Sequence, residues 1–119
     1  MDDAKAHRQG SSVYLTSFDG MEVYMIPVLV VDDEKFVREG IVRGTDWKSV
    51  GCEVVGQAKN GEEALALART LHPALIVTDI RMPKMDGIEL VRTLREENIA
   101  VKVIFLTAYS DFSYAQQAI

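Results

Sequence analysis

Acidic and hydroxyl side chains follow three of the apolar runs in this sequence. Asp32 and Asp33 come directly after the first run, Asp79 comes just after the third, and Thr107 comes directly after the fourth. Carboxylates held close together repel one another, whereas a hard divalent cation takes oxygen ligands and removes that repulsion. Mg²⁺ fits best, because proteins bind it through one or two carboxylates together with phosphate oxygens and waters. If the runs end at one edge of a sheet, these residues predict a magnesium site.

The same residues could accept a phosphoryl group. A carboxylate is a weak nucleophile towards an anionic phosphoryl donor, and a metal ion between the two neutralises the charge of the transition state. We predict Asp79 as the nucleophile, Asp33 as a direct metal ligand and Asp32 as a residue that acts on the metal mainly through water. Thr107 would donate a hydrogen bond to the phosphoryl group, and the loss of this contact on dephosphorylation would act as a local switch.

Each of these residues, taken alone, has a more ordinary structural explanation. Asp32 or Asp33 alone is more often a helix N-cap, and Asp79 alone is a solvated loop acid. Thr107 alone is a β-branched strand residue. The agreement of several strand ends on one chemistry is what favours a functional site.

Alternating strand and helix patterns would bring these residues together. Short apolar runs are separated by stretches whose apolar residues recur at helical spacing, and this alternation predicts βαβ units and a parallel sheet. In such a sheet, ligands bind just outside the carboxyl ends of the strands. The strands are predicted at residues 28–31, 54–58, 75–77 and 101–106.

Helices are predicted after each of these strands. In the first helix, Phe36, Val37 and Ile41 recur at helical spacing. The fourth helix is predicted to start near Ser110. Two capping-box patterns mark the starts of the second and third helices: Asn60 with Glu63, and Asp86 with Glu89.

Length and composition predict a single globular domain. The chain has 119 residues, which is enough for one hydrophobic core. Its net charge of -5 disfavours contact with the phosphate backbone of nucleic acid. No apolar run approaches the roughly 18 residues of a membrane span. We therefore predict no direct nucleic-acid binding, no membrane span and a cytoplasmic location.

The N-terminal segment differs from the rest of the chain. Residues 1–25 are predicted to form a weakly ordered extension, with a short strand at Val13–Leu15 as its one regular feature. The globular domain is predicted over residues 26–119. The single cysteine, Cys52, cannot form an internal disulfide, and we interpret it as a small buried hydrophobe.

Three stretches of the sequence resemble the signature segments of response regulator receiver domains. These are residues 28–34, 79–87 and 106–108, and their order and spacing match the family. The resemblance covers about residues 26–119. It implies an α/β fold with a doubly wound parallel sheet, the flavodoxin-like receiver fold, in the strand order 2-1-3-4-5.

This resemblance also implies a function in two-component signalling. A sensor histidine kinase would donate its phosphoryl group to Asp79, and the backbone carbonyl of Arg81 would complete the Mg²⁺ site. The domain would not be an enzyme but a phosphoacceptor that assists its own phosphoryl transfer. Residues 46–56 and 109–112 look like those of receivers attached to AraC-type output domains. We therefore expect the partner output domain, outside this chain, to bind DNA and regulate transcription.

The sequence departs from the family pattern at its C-terminus. Family members continue into a fifth strand, which ends in a lysine next to a proline, and a fifth helix, whereas this sequence ends at Ile119. We therefore expect a truncated receiver fold that lacks the fifth strand and fifth helix. Strand four would then be an apolar sheet edge, and such edges pair readily with other chains. We expect a homodimer through this strand or through the face of helix four, or pairing of the strand with the N-terminal segment.

Three other functions are less consistent with these residues. The runner-up is a docking module that keeps the fold but signals without phosphorylation, which the intact acidic residues disfavour. Phosphatases that use an aspartate on a similar sheet need a second acid two residues later, where this sequence has Arg81. In a flavin-binding protein of this topology, Asp32 and Asp33 would repel the phosphate.

Overall fold

The computed structural model describes residues 6–9, 13–18, 20–106 and 117. We number strands and helices separately in chain order. The strands are β1 (Ala6–Gln9), β2 (Val13–Phe18), β3 (Met21–Val31), β4 (Cys52–Ala58), β5 (Leu75–Thr78) and β6 (Lys102–Phe105). The helices are α1 (Lys35–Gly44), α2 (Gly61–Leu71) and α3 (Gly87–Glu96), with a 3-10 turn at Trp47–Val50.

Four strands form the parallel sheet that the sequence predicts. Their order is β4-β3-β5-β6, which corresponds to the predicted order 2-1-3-4. Val31 pairs with Ala58 of β4 and with Thr78 of β5, so the carboxyl ends of these three strands are level. The flavodoxin-like α/β fold is therefore confirmed for the described part of the chain.

A β-hairpin precedes this sheet. β2 pairs antiparallel with the first half of β3, from Phe18 opposite Met21 to Tyr14 opposite Met25, and β1 pairs antiparallel with β2. The strand predicted at Val13–Leu15 lies within β2, but the sequence did not predict its pairing with β3. β3 runs without a break from Met21 to Val31 and so crosses the predicted boundary at residue 25. The division into an N-terminal extension and a receiver domain stays a prediction.

Two apolar clusters cover the two faces of the parallel sheet. On one face, α2 and α3 bury Ala64, Ala68, Leu90 and Leu94 against Ile76 and other strand residues. On the other face, residues of α1 and the 3-10 turn pack on Val28 and Val30. Here the indole N–H of Trp47 donates to the carbonyl oxygen of Val42, at 3.1 Å.

Helix α1 is confirmed, but Phe36 is not on its packed face. The side chain of Phe36 is 90% exposed, and Val37 is 41% exposed. The helix instead packs through Ile41 and Val42, which are partly buried. At 3.6 residues per turn, Phe36 lies about 170° from the midpoint of Ile41 and Val42, whereas Arg38 lies close to that midpoint. Apolar spacing thus indicated the helix but not which side of it contacts the sheet.

The predicted helix caps are confirmed with one change. Asp86 and Glu89 form a complete capping box at the start of α3. Asn60 caps α2 by accepting a hydrogen bond from the N–H of Glu63. The Glu63 carboxylate, however, accepts from the N–H of Lys59 at 2.9 Å, one residue earlier than a capping box requires. None of the described helices has the length and apolar character needed to cross a membrane.

Candidate functional site

Asp32 and Asp33 lie at the carboxyl end of β3. The N–H of Asp32 still pairs with β4, donating to the carbonyl of Ala58 at 3.0 Å. Its side chain is buried, and Oδ1 accepts a hydrogen bond from the N–H of Glu34 at 2.9 Å. Asp33 is exposed. The N-cap of α1 is Glu34, so neither aspartate has the N-cap role that each would more commonly have alone.

Asp79 lies directly beyond β5. Its N–H donates to the carbonyl of Val31 at 3.1 Å, which fixes it beside the end of β3. Its Oδ1 accepts from the N–H of Ile80 at 2.8 Å. Asp79 is half-buried. These two bonds fix the backbone of Asp79 and one of its carboxylate oxygens, while part of the residue stays exposed.

The structure brings the three carboxylates together. Asp32, Asp33 and Asp79 each offer an oxygen atom within 4.8 Å of the others. Three negative groups at this separation repel one another, and one of them is buried. An all-oxygen donor set of this charge fits a hard divalent cation such as Mg²⁺.

Two of the predicted site residues, Arg81 and Thr107, are not seen in this cluster within the described part of the chain. Arg81 is exposed, two residues beyond Asp79, and the role of its backbone carbonyl stays a prediction. Thr107 lies outside the described residues, as does the whole of the predicted fourth helix except Gln117, which is helical and exposed.

The loop between Asp79 and α3 is held at both ends by backbone hydrogen bonds. The N–H of Gly87 donates to the carbonyl of Ile80 at 2.7 Å, and the N–H of Gly61 donates to the carbonyl of Met85 at 2.8 Å. A Cβ on Gly87 would lie 2.6 Å from the carbonyl oxygen of Asp79. This close approach requires glycine, because real Cβ atoms do not come so near a backbone atom.

Sequence reasoning missed two side chains that bond to the backbone of the acidic residues. The buried hydroxyl of Thr78 donates to the carbonyl of Asp79 at 2.8 Å. The guanidinium of Arg38 donates to the carbonyl of Asp32, also at 2.8 Å. Side-chain bonds to the backbone leave no periodic pattern in a sequence. The sequence therefore carried no signal for either bond.

Cys52 adds no reactive group to this site. It is buried, as predicted, and belongs to the apolar cluster on the α1 side of the sheet. Burial raises the pKa of its thiol, which keeps the thiol protonated and unreactive at neutral pH.

Comparison with known proteins gives one consistent family. The family model described as the response regulator receiver domain matches residues 28–119. The chain is 34% identical over 94 residues to the uncharacterized transcriptional regulatory protein YesN of Bacillus subtilis, covering 79% of this chain and 26% of YesN. It is 36% identical over 95 residues to the transcriptional regulatory protein HptR of Staphylococcus aureus, covering 80% of this chain and 37% of HptR. The chain thus spans between a quarter and two fifths of the length of these relatives.

Solved structures agree with the sequence matches. The receiver domain of AraT, a response regulator from Geobacillus stearothermophilus, is 43% identical, with a TM-score of 0.70 over 77% of this chain and 71% of that one. A two-component transcriptional regulator AraC from Clostridium phytofermentans is 40% identical, with a TM-score of 0.72 over 78% of this chain and 72% of that one.

Proposed function

Because this chain belongs to the response regulator receiver domain family, we propose that it is a phosphoacceptor with Asp79 as the accepting residue. Receiver domains are signalling domains of two-component systems and are not classical enzymes. The observation that carries the proposal is the gathering of three carboxylates from two strand ends within 4.8 Å. This arrangement costs electrostatic free energy unless a cation offsets it.

Mg²⁺ would be held by Asp32, Asp33 and Asp79 together with the backbone carbonyl of Arg81. When bound, it supplies positive charge that offsets the negative charge of the transferred phosphoryl group. Asp33, which is exposed, would be a direct ligand, and Asp32 would act mainly through a bound water. The bond from Ile80 N–H fixes one oxygen of Asp79.

Asp79 supplies the nucleophile. One of its carboxylate oxygens attacks the phosphorus atom of a phosphohistidine on a sensor histidine kinase. The phosphorus–nitrogen bond breaks as the new oxygen–phosphorus bond forms, and the electron pair leaves with the imidazole nitrogen, which then takes a proton from solvent. The product is an acyl phosphate on Asp79. The domain assists its own phosphorylation because it holds the acceptor and its neighbouring ligands in place.

Phosphorylation would then be communicated to an output domain. Thr107 would donate a hydrogen bond to the phosphoryl group and change the helix-four face, altering a dimer or output contact. The relatives YesN and HptR are named as transcriptional regulatory proteins, which supports an output domain that binds DNA. This domain would bind no nucleic acid itself, in keeping with its net charge of -5. We propose a cytoplasmic location, because a domain that controls a DNA-binding output domain would act in the compartment that holds the DNA.

The test is the intact mass of the protein after incubation with Mg²⁺ and acetyl phosphate. We expect the mass of one phosphoryl group to be added, and we expect no addition with Asp79→Asn or when Mg²⁺ is chelated. Asp46→Asn is a matched control, because Asp46 is an exposed acid in a loop outside the cluster. This variant should be phosphorylated like the parent.

Two results would contradict the proposal. An adduct that persists in Asp79→Asn would place the acceptor elsewhere. No adduct on the parent protein, with either acetyl phosphate or a phosphorylated histidine kinase as donor, would favour a docking module that signals without phosphorylation.

A further inference from the structure

Arg38 connects three elements beside the acidic cluster. It lies in the first turns of α1, on the side of the helix that packs on the sheet. One terminal nitrogen donates to the backbone carbonyl of Asp32 at 2.8 Å. Its Nε donates to the side-chain oxygen of Gln57 on β4 at 3.2 Å. A single partly buried guanidinium therefore joins the end of β3, the end of β4 and the start of α1.

The Asp32 carbonyl lies where the strand pairing ends. The N–H of Asp32 makes a ladder bond to Ala58, the last residue of β4. In a continued parallel ladder, the next N–H towards this carbonyl would be that of Asn60, which lies beyond β4 and is the N-cap of α2. The guanidinium of Arg38 supplies the donor for the Asp32 carbonyl. Because a buried carbonyl without a donor is destabilising, the bond from Arg38 favours this orientation of the carbonyl.

The segment between Asp32 and Arg38 is closed by three hydrogen bonds. The N–H of Arg38 donates to the carbonyl of Glu34 at 2.9 Å, and the N–H of Glu34 donates to Oδ1 of Asp32 at 2.9 Å. The guanidinium then returns to the carbonyl of Asp32. This ring fixes both the backbone and the carboxylate of Asp32, and it holds Asp33 between the two fixed points.

The guanidinium of Arg38 bonds to neutral oxygen atoms and not to the carboxylates. Within the described residues, its side chain bonds to a carbonyl and an amide oxygen and takes part in no ion pair with an acid. A cation beside the cluster would, by repulsion alone, weaken the binding of Mg²⁺. A side chain that orients ligands would strengthen it. The two effects have opposite signs, so removing Arg38 separates them.

We propose that Arg38 is a positioning residue, which holds the backbone of Asp32 so that the acidic cluster is formed before Mg²⁺ binds. The inference rests on the proposed function, since it concerns the same metal site. Arg38 would then raise the affinity for Mg²⁺, whereas its positive charge alone would lower that affinity.

The first test is the affinity for Mg²⁺ measured by calorimetry. Arg38→Met keeps an unbranched apolar stem but removes the guanidinium with its donors and charge, and we expect binding about tenfold weaker. Arg43→Met is the matched control. It removes the same charge from the same helix, where the Arg43 side chain is 79% exposed and pairs with Glu39 at 3.8 Å. This control should bind Mg²⁺ like the parent. Equal or tighter binding by Arg38→Met would overturn the inference.

The second test needs no metal. In metal-free protein, hydrogen exchange of the Glu34 amide reports on its bond to Asp32. We expect this amide to exchange faster in Arg38→Met, while that of Ile80, bonded to Asp79, is unchanged. Unaltered protection of Glu34 would contradict positioning. Arg38→Lys keeps the charge without the planar fork, so it should give intermediate affinity and keep the fold if the Met variant does not.

Failure of this inference is distinguishable from failure of the proposed function. A parent protein that binds no Mg²⁺ would overturn both. A parent that binds Mg²⁺ and is phosphorylated on Asp79, alongside an Arg38→Met variant with the same Mg²⁺ affinity and the same Glu34 exchange, would overturn the role of Arg38 alone.

Discussion

Asp32 and Asp33 are neighbours in the sequence but lie in different environments. Asp32 is buried and accepts a backbone hydrogen bond. Asp33 is exposed, and among the described contacts its side chain takes part only in the acidic cluster. Replacing Asp33 should therefore affect the charge of the cluster without disturbing the loop. It is the better probe of repulsion between the carboxylates.

We expect Asp33→Asn to be more stable than the parent in the absence of Mg²⁺, by up to about 1 kcal/mol, because one of three mutually repelling charges is removed. Saturating Mg²⁺ should reverse the order, since ligand binding stabilises the parent more than the variant. Urea unfolding with and without Mg²⁺ measures both free energies, with Asp46→Asn as the control outside the cluster. A variant less stable than the parent in both conditions would show that Asp33 has a structural role.

Gly87 lies close to the backbone of the preceding loop. Its missing side chain lets α3 begin against the backbone of Asp79 and Ile80. Gly87→Ala should lower the free energy of unfolding by about 1–3 kcal/mol, because the added methyl group forces the backbone apart next to Asp79.

Gly40→Ala is the matched control for this change. Gly40 lies within α1, and a Cβ there would meet no atom within 4 Å. This variant should be stabilised by up to about 1 kcal/mol through the higher helix propensity of alanine. If both alanine variants gain stability in urea unfolding, the close approach at Gly87 is not a constraint.

At the residue scale, the acidic cluster could be predicted and its supports could not. The position of Asp79 after an apolar run is enough to place it at the sheet edge, because parallel strands end together there. The contacts of Arg38 and Thr78 depend on where a side chain meets a backbone carbonyl. Such contacts follow from the packing of α1 on the sheet and not from spacing along the chain.

At the scale of elements, α2 and α3 are joined by an ion pair as well as by their apolar faces. Arg69 of α2 and Glu97, at the end of α3, form a two-point hydrogen-bonded pair, with Nε to Oε1 at 2.9 Å. The hydrogen bond with Arg69 lowers the pKa of the Glu97 carboxyl, and the same bond raises the pKa of Arg69. Both side chains are partly exposed, so solvent and salt weaken the pair.

The pH dependence of this pair has a definite sign. A lowered folded-state pKa means that Glu97 contributes stability above its unfolded-state pKa of about 4.3 and loses that contribution as pH falls through the folded-state value. The parent should therefore be more stable than Glu97→Gln at pH 7, and the difference should vanish in acid. Thermal unfolding across this range measures it, and high salt at pH 7 should shrink it. A difference independent of pH would mean that the pair is not ionic.

Elements differ in how well the sequence indicated them. α3 has both an apolar face and a complete capping box, and these two signals agree. β3 extends seven residues before its predicted start, because Met21–Met25 pair antiparallel with β2 and the sequence did not predict that pairing. Pro27 is tolerated because it lacks only a donor, and its carbonyl still accepts from the N–H of Ala74.

At the scale of the whole molecule, β6 is the outer strand of the parallel sheet in the described part of the chain. Ile104 is 49% exposed and lines an open groove with Ile26, Cys52 and Leu75. The N-terminal strands pair with β3 and not with β6. Pairing of β6 with the N-terminal segment is therefore not observed in the described residues, and self-association of this chain through β6 stays a prediction.

Sedimentation velocity over a range of concentrations tests this prediction. We expect the parent to self-associate, and Ile104→Lys to shift it towards monomer by placing a charge on the apolar groove. Phe36→Lys is the matched control, because Phe36 is more exposed but lies on the outer side of α1. A monomeric parent would contradict the prediction. An effect of Phe36→Lys alone would move the interface to α1.

The arrangement of the whole molecule was predictable where periodicity and strand order decide it. The four parallel strands follow from apolar runs alternating with helical stretches, and their order follows from the family resemblance. The antiparallel pairing of β1 and β2 lies outside that alternation, in two short runs, AHRQ and VYLTSF, that show no strict two-residue period. Such pairing carries little signal in the sequence.

The single tryptophan lies on one side of the sheet, and this gives the protein an internal optical probe. Trp47 packs in the α1-side cluster and its indole N–H is bonded to Val42. Its fluorescence will therefore report the loss of packing on that side, whereas circular dichroism reports the helices on both sides. Coincident denaturation curves from the two signals would show that both faces of the sheet unfold as one cooperative unit. Separate curves would show that the α1 side loosens independently of α2 and α3.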